Sequence, residues 1–393
     1  KGIVNALHKV LDRGDIRFLG NVTYGREVTN HLLDRGYQVS FLHFAQQEEC
    51  DQKWRDCPEV FLPFLYKSQI YTIPSPKSSQ VLMRSLQKFQ PDLVHASLTL
   101  SPLDFRLPDI CRELDLPLVA TFHPPFDSKL RNLKSSTQYL TYQLYAPCLA
   151  NYDRVIVFSE IQKEMLVKLG VPRDTVRIIP NGVDEQKYAP ALSAYRHTFQ
   201  AKRVFIYQGR IAPEKNVEAL LKAWRLANMG KDCVLLMVGD GPLKASLELL
   251  YTEDQGVRWL GFVGDETQRI DLLRAADVFV LPSLVEGLSL SLLEAMACGL
   301  ACIATDAGAD GEVLNQGAGV VLDTQGVTGQ LKTLLPLFRE QPELVTILGH
   351  KARQRVLERY TLQNNISQLE QTYQELCSTA ASAPHPAPVQ SFP

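Results

Sequence analysis

Two glutamates, Glu286 and Glu294, lie in one short stretch that joins a strand, a glycine-containing loop and a helix start. The apolar run at 278–281 ends at Pro282, which lacks a backbone amide and so ends a buried parallel strand. A second apolar pattern begins after Ser289, a residue type preferred at helix N-caps. Glu286 is therefore expected in the loop before the helix, and Glu294 in the second turn of the helix.

The loop before this helix suits a ligand that carries both phosphate and hydroxyl groups. Amides in the first turn of a helix have no intrahelical acceptor, so those of Gly287, Leu288 and Ser289 are predicted to face an anion. A carboxylate repels phosphate but accepts hydrogen bonds from hydroxyl groups, which suits the two glutamates. A nucleotide sugar carries both groups. The spacing alone equally allows Glu286 to be a loop charge and Glu294 a solvated helix residue.

Two cations follow another predicted strand, at 204–208. Gly209 and Arg210 come directly after it, and Lys215 precedes the next helix. Cations at the carboxyl edge of a strand, beside a helix start, can neutralise a diphosphate. The sequence GDGP at 239–242 is a weak dinucleotide fingerprint because the third glycine is missing, and we interpret it as a tight turn between a strand and a helix.

Composition indicates an ordinary globular chain. The 393 residues, 45% hydrophobic and 21% charged, are enough for two domains. The 41 lysines and arginines nearly balance the 43 acidic residues, which argues against nucleic-acid binding. The eight cysteines form no C-x-x-C pair, which argues against a zinc site and favours a cytoplasmic location. No run approaches the ~20 apolar residues of a membrane span, so any membrane contact is expected to be peripheral, on the cytoplasmic face.

Strand and helix patterns alternate in two separate series, which is typical of Rossmann-like domains. The first series spans residues 1–190 and the second residues 200–360. The predicted fold is therefore α/β, with two tandem Rossmann-like domains facing a central cleft. Residues 361–376 have one apolar helical face, and residues 377–393 are small and Pro-rich, as in a disordered tail.

The first 17 residues are atypical of such a domain. A helix-like pattern at 3–11 precedes the first strand candidate, at 16–19. The regular alternation begins after that, with a helix predicted from about residue 25 to residue 35.

The chemistry-bearing motifs together resemble glycosyltransferase family 4, the retaining group with the GT-B fold that uses nucleotide-activated sugars. In chain order they are FSE at 158–160, PNGVD at 180–184, GR at 209–210, EKN at 214–216, VGDGP at 238–242, and the block of Glu286 and Glu294 followed by Gly308. The resemblance covers roughly residues 90–376. It implies that the first domain faces the acceptor, the second binds the nucleotide sugar, and the C-terminal helix packs back toward the first domain. The first domain bears a general similarity to cyanobacterial and plastid members.

The resemblance also implies a role for each matching residue. Arg210 and Lys215 would hold the donor diphosphate, Glu294 the ribose, and Glu286 the sugar and its phosphates. The implied donor-binding set is Gly20, Asn181, Gly209, Arg210, Lys215, Glu286, Gly287, Leu288, Ser289 and Glu294.

On the acceptor side, His123 matches the family's active-site histidine near the transferred sugar. It joins Arg210, Lys215 and Glu286 as an implied catalytic residue, although without the resemblance a packed or capping histidine is the simpler interpretation. Gly20 would open the family's glycine loop after the first strand, over residues 20–25. The paired glycine expected there is missing.

The implied mechanism depends on the leaving group. Arg210, Lys215 and a helix N-terminus can stabilise a departing nucleotide diphosphate without a metal, so neither an essential cation nor a cofactor is predicted. By analogy, retention would use front-face attack, with the departing phosphate accepting the proton of the acceptor hydroxyl. The sequence offers no further carboxylate as a covalent nucleophile.

The acceptor is inferred from the first domain. Residues 61–67 read FLPFLYK, and a second segment has Lys129, Arg131 and Lys134 followed by Tyr139, Tyr142 and Tyr145. Basic and aromatic side chains on one surface suit docking on an anionic membrane. A core strand and a solvated helix face explain the same pattern.

We therefore expect transfer of a hexose from a UDP- or GDP-sugar to a hydroxyl group, on a membrane glycolipid such as a galactolipid. A soluble or polysaccharide acceptor, a non-catalytic nucleotide-sugar-binding module, and a phosphorylase or epimerase on the same fold stay open. An NAD-dependent oxidoreductase is disfavoured because no strand end carries a complete G-x-G-x-x-G.

Overall fold

The computed structural model describes residues 2–6, 20–44, 58–67, 71–98, 100–125, 133–230 and 232–382. They form two parallel sheets with helices on both faces, which confirms the predicted α/β fold with two Rossmann-like domains. No helix within these ranges is long and apolar enough to span a membrane.

The first sheet has seven strands, in the order β3-β2-β1-β6-β7-β8-β9, and all its pairs are parallel. A separate antiparallel hairpin, β4–β5, follows β3. The elements in chain order are β1 (Gly2–Ala6), α1 (Gly20–Asp34), β2 (Gln38–His43), β3 (Glu59–Phe61), β4 (Phe64–Lys67), β5 (Thr72–Pro74), α2 (Ser78–Phe89), β6 (Leu93–Leu98), a 3-10 turn (Pro102–Phe105), α3 (Leu107–Glu113), β7 (Leu118–Phe122), α4 (Leu133–Leu149), β8 (Arg154–Val157), α5 (Glu160–Lys168) and β9 (Val176–Ile178).

The second sheet has six strands, in the order β12-β11-β10-β13-β14-β15, again with parallel pairs. Its elements are β10 (Arg203–Gln208), α6 (Val217–Leu226), β11 (Cys233–Val238), α7 (Lys244–Leu250), β12 (Val257–Gly261), α8 (Glu266–Ala275), β13 (Val278–Leu281), α9 (Leu290–Ala297), β14 (Ala301–Thr305), α10 (Asp310–Leu314), β15 (Val320–Leu322), α11 (Val327–Glu340) and α12 (Pro342–Arg359), with 3-10 turns at Arg196–Phe199, Pro213–Lys215 and Glu253–Gln255. Strands β11 and β13 are buried along their whole length, because helices cover both faces of the sheet.

The last helix, α13 (Leu362–Ser382), returns to the first domain. Its apolar face packs against one face of the first sheet in a single buried cluster, which confirms the implied packing. The cluster contains Val28, Leu32, Val39, Leu93, Val119, Ile156, Ile179, Leu362, Ile366, Leu369, Tyr373 and Leu376. The helix continues past residue 376, into the segment predicted to be disordered.

The prediction for the first residues is wrong. The segment 2–6 is not helical: it is strand β1, an interior strand paired with β2 and β6, and residues 7–11 of the predicted helix lie outside the described residues. A five-residue segment has too few positions to separate a 3.6-residue period from a buried strand. Residues 20–25, expected as a glycine loop, are the first turns of α1. The strand predicted at 16–19 lies outside the described residues.

Candidate functional site

The loops after β10 and β13 form one surface at the carboxyl edge of the second sheet. The two strands are neighbours in the sheet, so their loops leave it side by side. The amide of Leu284 donates to the carbonyl oxygen of Glu214 at 2.8 Å, and Asn216 Nδ2 donates to the carbonyl oxygen of Pro282 at 3.2 Å. These bonds fix the segment that carries Lys215 against the segment that carries Glu286.

Lys215 and Glu286, both predicted site residues, form an ion pair between these two loops. Lys215 Nζ lies 2.5 Å from Glu286 Oε1, and Glu286 is buried. Arg210 pairs with Glu214 on the same edge, but its side chain is 42% exposed whereas that of Lys215 is 22% exposed. Arg210 is therefore the cation more open to an incoming anion, and Lys215 the one held more firmly in place.

Glycines bring the next turn close to Gly209. A Cβ at Gly239 would lie 1.9 Å from the carbonyl oxygen of Gly209, so only glycine fits there. The amide of Gly209 donates to the carbonyl oxygen of Val238 at 2.9 Å. The GDGP turn therefore packs against the loop of Arg210, in agreement with its interpretation as a tight strand-to-helix turn.

The start of α9 differs from the expectation in one respect. Ser289 is its N-cap, and the hydroxyl of Ser289 accepts from the amide of Leu292 at 3.3 Å. The amide of Ser289, however, donates to Asp310 Oδ1 at 2.9 Å and so does not face the cleft as a free donor. Of the three amides predicted to face an anion, those of Gly287 and Leu288 keep that role as a prediction.

Asp310 is a site residue that sequence reasoning missed. It is fully buried at the start of α10, and its Oδ2 has no hydrogen-bond partner among the described residues. Burial and the nearby charge of Glu286 raise the pKa of Asp310 well above its usual value, although the Ser289 amide and Lys215 oppose this. The sequence signal that could have identified Asp310 is an acidic residue two positions after Gly308. It follows strand β14, which neighbours β13.

Gly308 holds this arrangement together. Its φ is +60°, and a Cβ there would lie 2.3 Å from the carbonyl oxygen of Glu286 and 2.4 Å from that of Gly287. The next amide, of Ala309, donates to the carbonyl oxygen of Gly287 at 2.7 Å. The backbone of the loop after β14 thus packs directly against the backbone of the loop after β13.

Glu294 lies in the second turn of α9, as expected, and is half-buried. Gln208 Nε2, at the end of β10, donates to Glu294 Oε2 at 2.9 Å. Burial raises the pKa of Glu294 to about 7, against the opposing effects of Arg269 and of a hydrogen bond from Tyr188. The carboxyl group therefore titrates in the neutral range, and its ionised form can accept hydrogen bonds from a diol.

His123 follows β7 at the carboxyl edge of the first sheet. Its Nε2 lies 2.7 Å from Oγ of Ser97, which lies near the carboxyl end of the neighbouring strand β6. Across the cleft, a Cβ at Gly287 would lie 3.5 Å from the carbonyl oxygen of His123. The structure thus brings the predicted acceptor-side histidine next to the predicted donor loop.

Two predicted donor residues lie elsewhere. Gly20 begins α1, and Asn181 is buried in a turn whose contacts run to α13. In that turn, a Cβ at Gly182 would lie 2.6 Å from Leu362 Cα, and Asn365 Nδ2 donates to the carbonyl oxygen of Pro180 at 2.6 Å. The turn therefore anchors helix α13. A donor role for Gly20 or Asn181 stays a prediction.

Within the described ranges, no group of three His, Cys, Asp or Glu residues is arranged to hold a metal ion. Whether catalysis needs a cation is a separate matter, and the metal-free mechanism stays a prediction.

The aromatic residues proposed for membrane docking divide into two groups. Tyr142 and Tyr145 are buried, where their hydroxyls donate to the carbonyl oxygen of Pro124 at 2.9 Å and to Asp104 Oδ2 at 2.8 Å. They are therefore core residues, and the prediction of a surface role is wrong for them. The face of a helix that packs on a sheet buries its large side chains, whatever charges flank them in the sequence. Lys129, Arg131 and the Lys134 side chain lie outside the described residues.

The β4–β5 hairpin, by contrast, exposes large apolar side chains. Leu65 is 70% exposed and Tyr66 51%, and Tyr71 and Ile73 are also exposed. The hairpin follows the carboxyl end of β3, and the amide of Thr72 donates to the carbonyl oxygen of residue 100, beyond the end of β6, at 3.4 Å. The exposed hairpin therefore stands at the same edge of the first sheet as His123.

Comparison with known proteins agrees with this architecture. A model described as Glycosyltransferase Family 4 matches residues 20–187, and one described as Glycosyl transferases group 1 matches residues 195–355. The chain is 28% identical over 338 residues to UDP-Gal:alpha-D-GlcNAc-diphosphoundecaprenol alpha-1,3-galactosyltransferase of Escherichia coli, covering 80% of this chain and 82% of that protein.

Solved structures show the same fold. Sucrose-phosphate synthase from Thermosynechococcus elongatus superposes with a TM-score of 0.78 at 20% identity, covering 96% of this chain and 100% of the other. The Anabaena protein HepE in complex with UDP-glucose superposes with a TM-score of 0.73 at 18% identity, covering 95% of this chain and 100% of the other. Both proteins have the GT-B fold, and at these identities the similarity concerns the fold alone.

Proposed function

We propose that this chain, which belongs to glycosyltransferase family 4 and has the GT-B fold, is a retaining hexosyltransferase that uses a UDP-hexose and glycosylates a membrane glycolipid. Transfer of a sugar from a nucleotide sugar to an acceptor is the activity of this class. The observation that carries the proposal is that the backbone oxygen of His123 lies close to Gly287, the residue after the Lys215–Glu286 pair, across the cleft. The donor nucleotide, the stereochemistry and the acceptor are the proposed refinements.

The donor edge has the parts that a nucleotide diphosphate needs. Arg210 and Lys215 lie on the loop after β10, next to the N-terminus of α9. Positive potential at this place stabilises the charge that develops on a departing diphosphate. Glu294, set back in the second turn of α9, is placed to accept from the ribose hydroxyls. We favour uridine as the base because a relative is named for UDP-Gal and a structural neighbour contains UDP-glucose, and a GDP-hexose is the alternative.

Retention is part of the proposal because the resemblance to the family implies it, and the surroundings of the carboxylates favour one of the two retaining routes. A double displacement needs a carboxylate free to attack the anomeric carbon. Glu286 is paired with Lys215, and Asp310 accepts from the amide of Ser289. We therefore infer front-face attack, in which the acceptor hydroxyl approaches on the side of the departing diphosphate and gives up its proton to the phosphate oxygen. His123, fixed by Ser97, would border the transferred sugar.

The hairpin supports a lipid acceptor. Its exposed apolar side chains stand at the edge where an acceptor must approach His123, and such side chains favour the interface of a bilayer. A relative that matches most of the chain is named for a diphosphoundecaprenol acceptor. We therefore infer peripheral contact with the cytoplasmic face of a membrane, with a glycolipid such as a galactolipid as acceptor. A structural neighbour named for sucrose phosphate shows that the fold also serves other acceptors.

An activity matrix tests the proposal. The full chain is incubated with UDP-glucose, UDP-galactose or GDP-mannose, each against galactolipid vesicles, a polyprenyl-diphosphate-linked sugar and soluble oligosaccharides. We expect a UDP-hexose to be used, a lipid product to form, and NMR to show the α-anomer that retention of an α-configured donor produces. A β-linked product would refute retention, and transfer to soluble sugars only would refute the lipid acceptor. Nucleotide-sugar binding without transfer to any acceptor would favour a non-catalytic binding module.

A further inference from the structure

The loop between β13 and α9 turns two carbonyl groups toward the loop after β14. A Cβ at Gly308 would clash with the carbonyl oxygen of Glu286, and the amide of Ala309 donates to the carbonyl oxygen of Gly287 at 2.7 Å. In a trans peptide unit the C=O and N–H groups point in opposite directions. The amides of Gly287 and Leu288, which belong to the same two peptide units, therefore point away from the loop after β14.

The next peptide unit has the opposite orientation. The amide of Ser289 donates to Asp310 Oδ1 at 2.9 Å, so it points toward α10, which follows the loop after β14. The change of direction occurs between Leu288 and Ser289, directly at the N-cap of α9. The bond to Asp310 therefore fixes the place where the two outward amides end and the helix begins.

Helix α9 cannot satisfy the Ser289 amide from its own sequence. In a capping box, a Glu or Gln at the third helical position accepts from the amide of the N-cap residue. That position is Leu292, whose side chain has no acceptor and whose amide donates to the Ser289 hydroxyl. Asp310 is fully buried and supplies the missing acceptor from another segment. Because a buried amide without an acceptor is costly, the loop should rearrange when Asp310 is replaced by an apolar residue.

The two outward amides belong to the part of the donor site that is nearest to the acceptor side. A Cβ at Gly287 would lie 3.5 Å from the carbonyl oxygen of His123. Glu294, proposed for the ribose, lies in the second turn of α9 instead. In a nucleotide sugar the distal phosphate bears the transferred sugar, so the distal phosphate is the one that the loop beside His123 should meet.

We propose that Asp310 is a positioning residue of the donor site, whose bond to the Ser289 amide holds the amides of Gly287 and Leu288 toward the distal phosphate of the nucleotide sugar. The inference rests on the proposed nucleotide-sugar site and adds a residue that acts through the loop. Asp310 should then govern the preference for a nucleoside diphosphate over the monophosphate with the same base. A residue that only stabilises the fold would leave this preference unchanged.

Titration calorimetry with UDP and UMP tests this inference, because the two ligands differ only in the distal phosphate. The fitted stoichiometry separates a smaller folded fraction from a weaker affinity. Asp310→Leu replaces both carboxyl oxygens by methyl groups, and Asp310→Asn keeps an acceptor oxygen. We expect Asp310→Leu to bind UDP about tenfold more weakly and UMP within about twofold of the wild type, the size expected for one hydrogen bond to a charged group. Asp310→Asn should retain the wild-type ratio of the two affinities. Should Asp310→Leu fail to fold, Asp310→Ala decides by the same ratio.

Asp153→Leu is the matched control. Asp153 Oδ2 accepts from the amide of Leu118 at 2.7 Å, again between two distant segments, but at the amino edge of the first sheet. Its ratio of affinities should equal that of the wild type.

Two results would overturn the inference while leaving the donor site intact. They are an unchanged ratio in Asp310→Leu, and a loss of preference in Asp310→Asn as large as that in Asp310→Leu. If the wild type binds GDP rather than UDP, the GDP and GMP pair is measured in the same way. Failure of the wild type to bind either diphosphate would overturn the donor site itself, and this inference with it.

Discussion

At the carboxyl edge of the second sheet, Gly239 and Gly308 bring neighbouring turns into direct backbone contact, whereas at the same edge of the first sheet the β4–β5 hairpin holds Leu65 and Tyr66 in solvent. The donor edge is therefore built from short loops that fix one another, and the acceptor edge from a projecting element with apolar side chains. The two edges face each other at His123.

This difference between fixed loops and an exposed hairpin indicates a different task for each edge. A diphosphate and a ribose are the same in every turnover, so their ligands gain from being held in one geometry before the substrate arrives. An acceptor at a bilayer reaches the site from a mobile surface, and an exposed apolar element can meet it without prior positioning. Changes at the donor edge should accordingly act on chemistry and folding, and changes at the hairpin on partition to membranes.

The largest effect is expected for Lys215→Ala. It removes a cation that would stabilise the leaving diphosphate, so kcat/KM should fall by about 10²- to 10³-fold. The matched control is Lys202→Ala, which breaks an ion pair with Asp232 just before the same strand, at the opposite edge. Activity is measured per folded molecule, because Glu286 loses its partner. Equal kcat/KM in the two variants would contradict the prediction that a lysine at the carboxyl end of β10 serves catalysis and a lysine at its amino end does not.

The next effect compares two glycines with the same backbone conformation. Gly308 and Gly326 have φ of +60° and +68°, but only Gly308 has backbone atoms where a Cβ would stand. Gly326→Ala should cost about 1 kcal/mol of unfolding free energy, from the left-handed conformation alone. Gly308→Ala should cost about 3 kcal/mol or more, because the carbonyls of Glu286 and Gly287 must also move. Urea unfolding measures both, and equal costs would show that the donor loops are not mutually supported.

Part of the second domain could be predicted from the sequence because strands such as β10 and β13 are short apolar runs closed by glycine or proline. Strand β13 has the bounds predicted for it, β10 begins one residue before its predicted start, and α9 begins directly after Ser289, its predicted N-cap. The pairing of Lys215 with Glu286 is different. It depends on β10 and β13 being neighbours in the sheet, which the order along the chain does not reveal.

Other features escaped prediction for physical reasons. Strand β1 is only five residues long, and its identity is fixed by β2 and β6 on either side. Asp310 occupies a place that only the β13–β14 pairing brings to the amide of Ser289. In each case a contact between distant segments determined the outcome.

A smaller effect on the donor edge concerns the stability of the protein as the pH changes. Asp310 has a pKa raised well above its usual value, so the folded state holds a proton that the unfolded chain loses above about pH 4. Stability is therefore lost as the pH rises from that point toward the folded pKa. Asp310→Asn keeps an acceptor for the Ser289 amide and removes this loss. We expect it to be more stable than the wild type at pH 8, and the gain to vanish near pH 4.

Urea unfolding at pH 4, 6 and 8 checks the prediction for Asp310. Asp306→Asn is a control on the same loop, because Asp306 is only half-buried whereas Asp310 is fully buried, and its replacement should give no gain that grows with pH. A gain for Asp310→Asn that stays constant with pH would mean that the carboxyl group is ionised in the folded protein. The donor edge would then carry one more fixed negative charge than the comparison of the two edges assumes.

The smallest effect belongs to the acceptor edge. Replacing Leu65 and Tyr66 together by serine removes two exposed apolar side chains, and partition to vesicles should weaken by about tenfold, since the two side chains together contribute about 1.4 kcal/mol at an interface. The matched variant is Leu249→Ser, 82% exposed on α7 of the second domain, which should float with vesicles as the wild type does. Affinity for UDP-glucose should be unchanged in both, because neither site touches the donor loops. If the hairpin variant floats normally while losing donor affinity, the hairpin serves the donor edge, and the division of labour between the two edges is wrong.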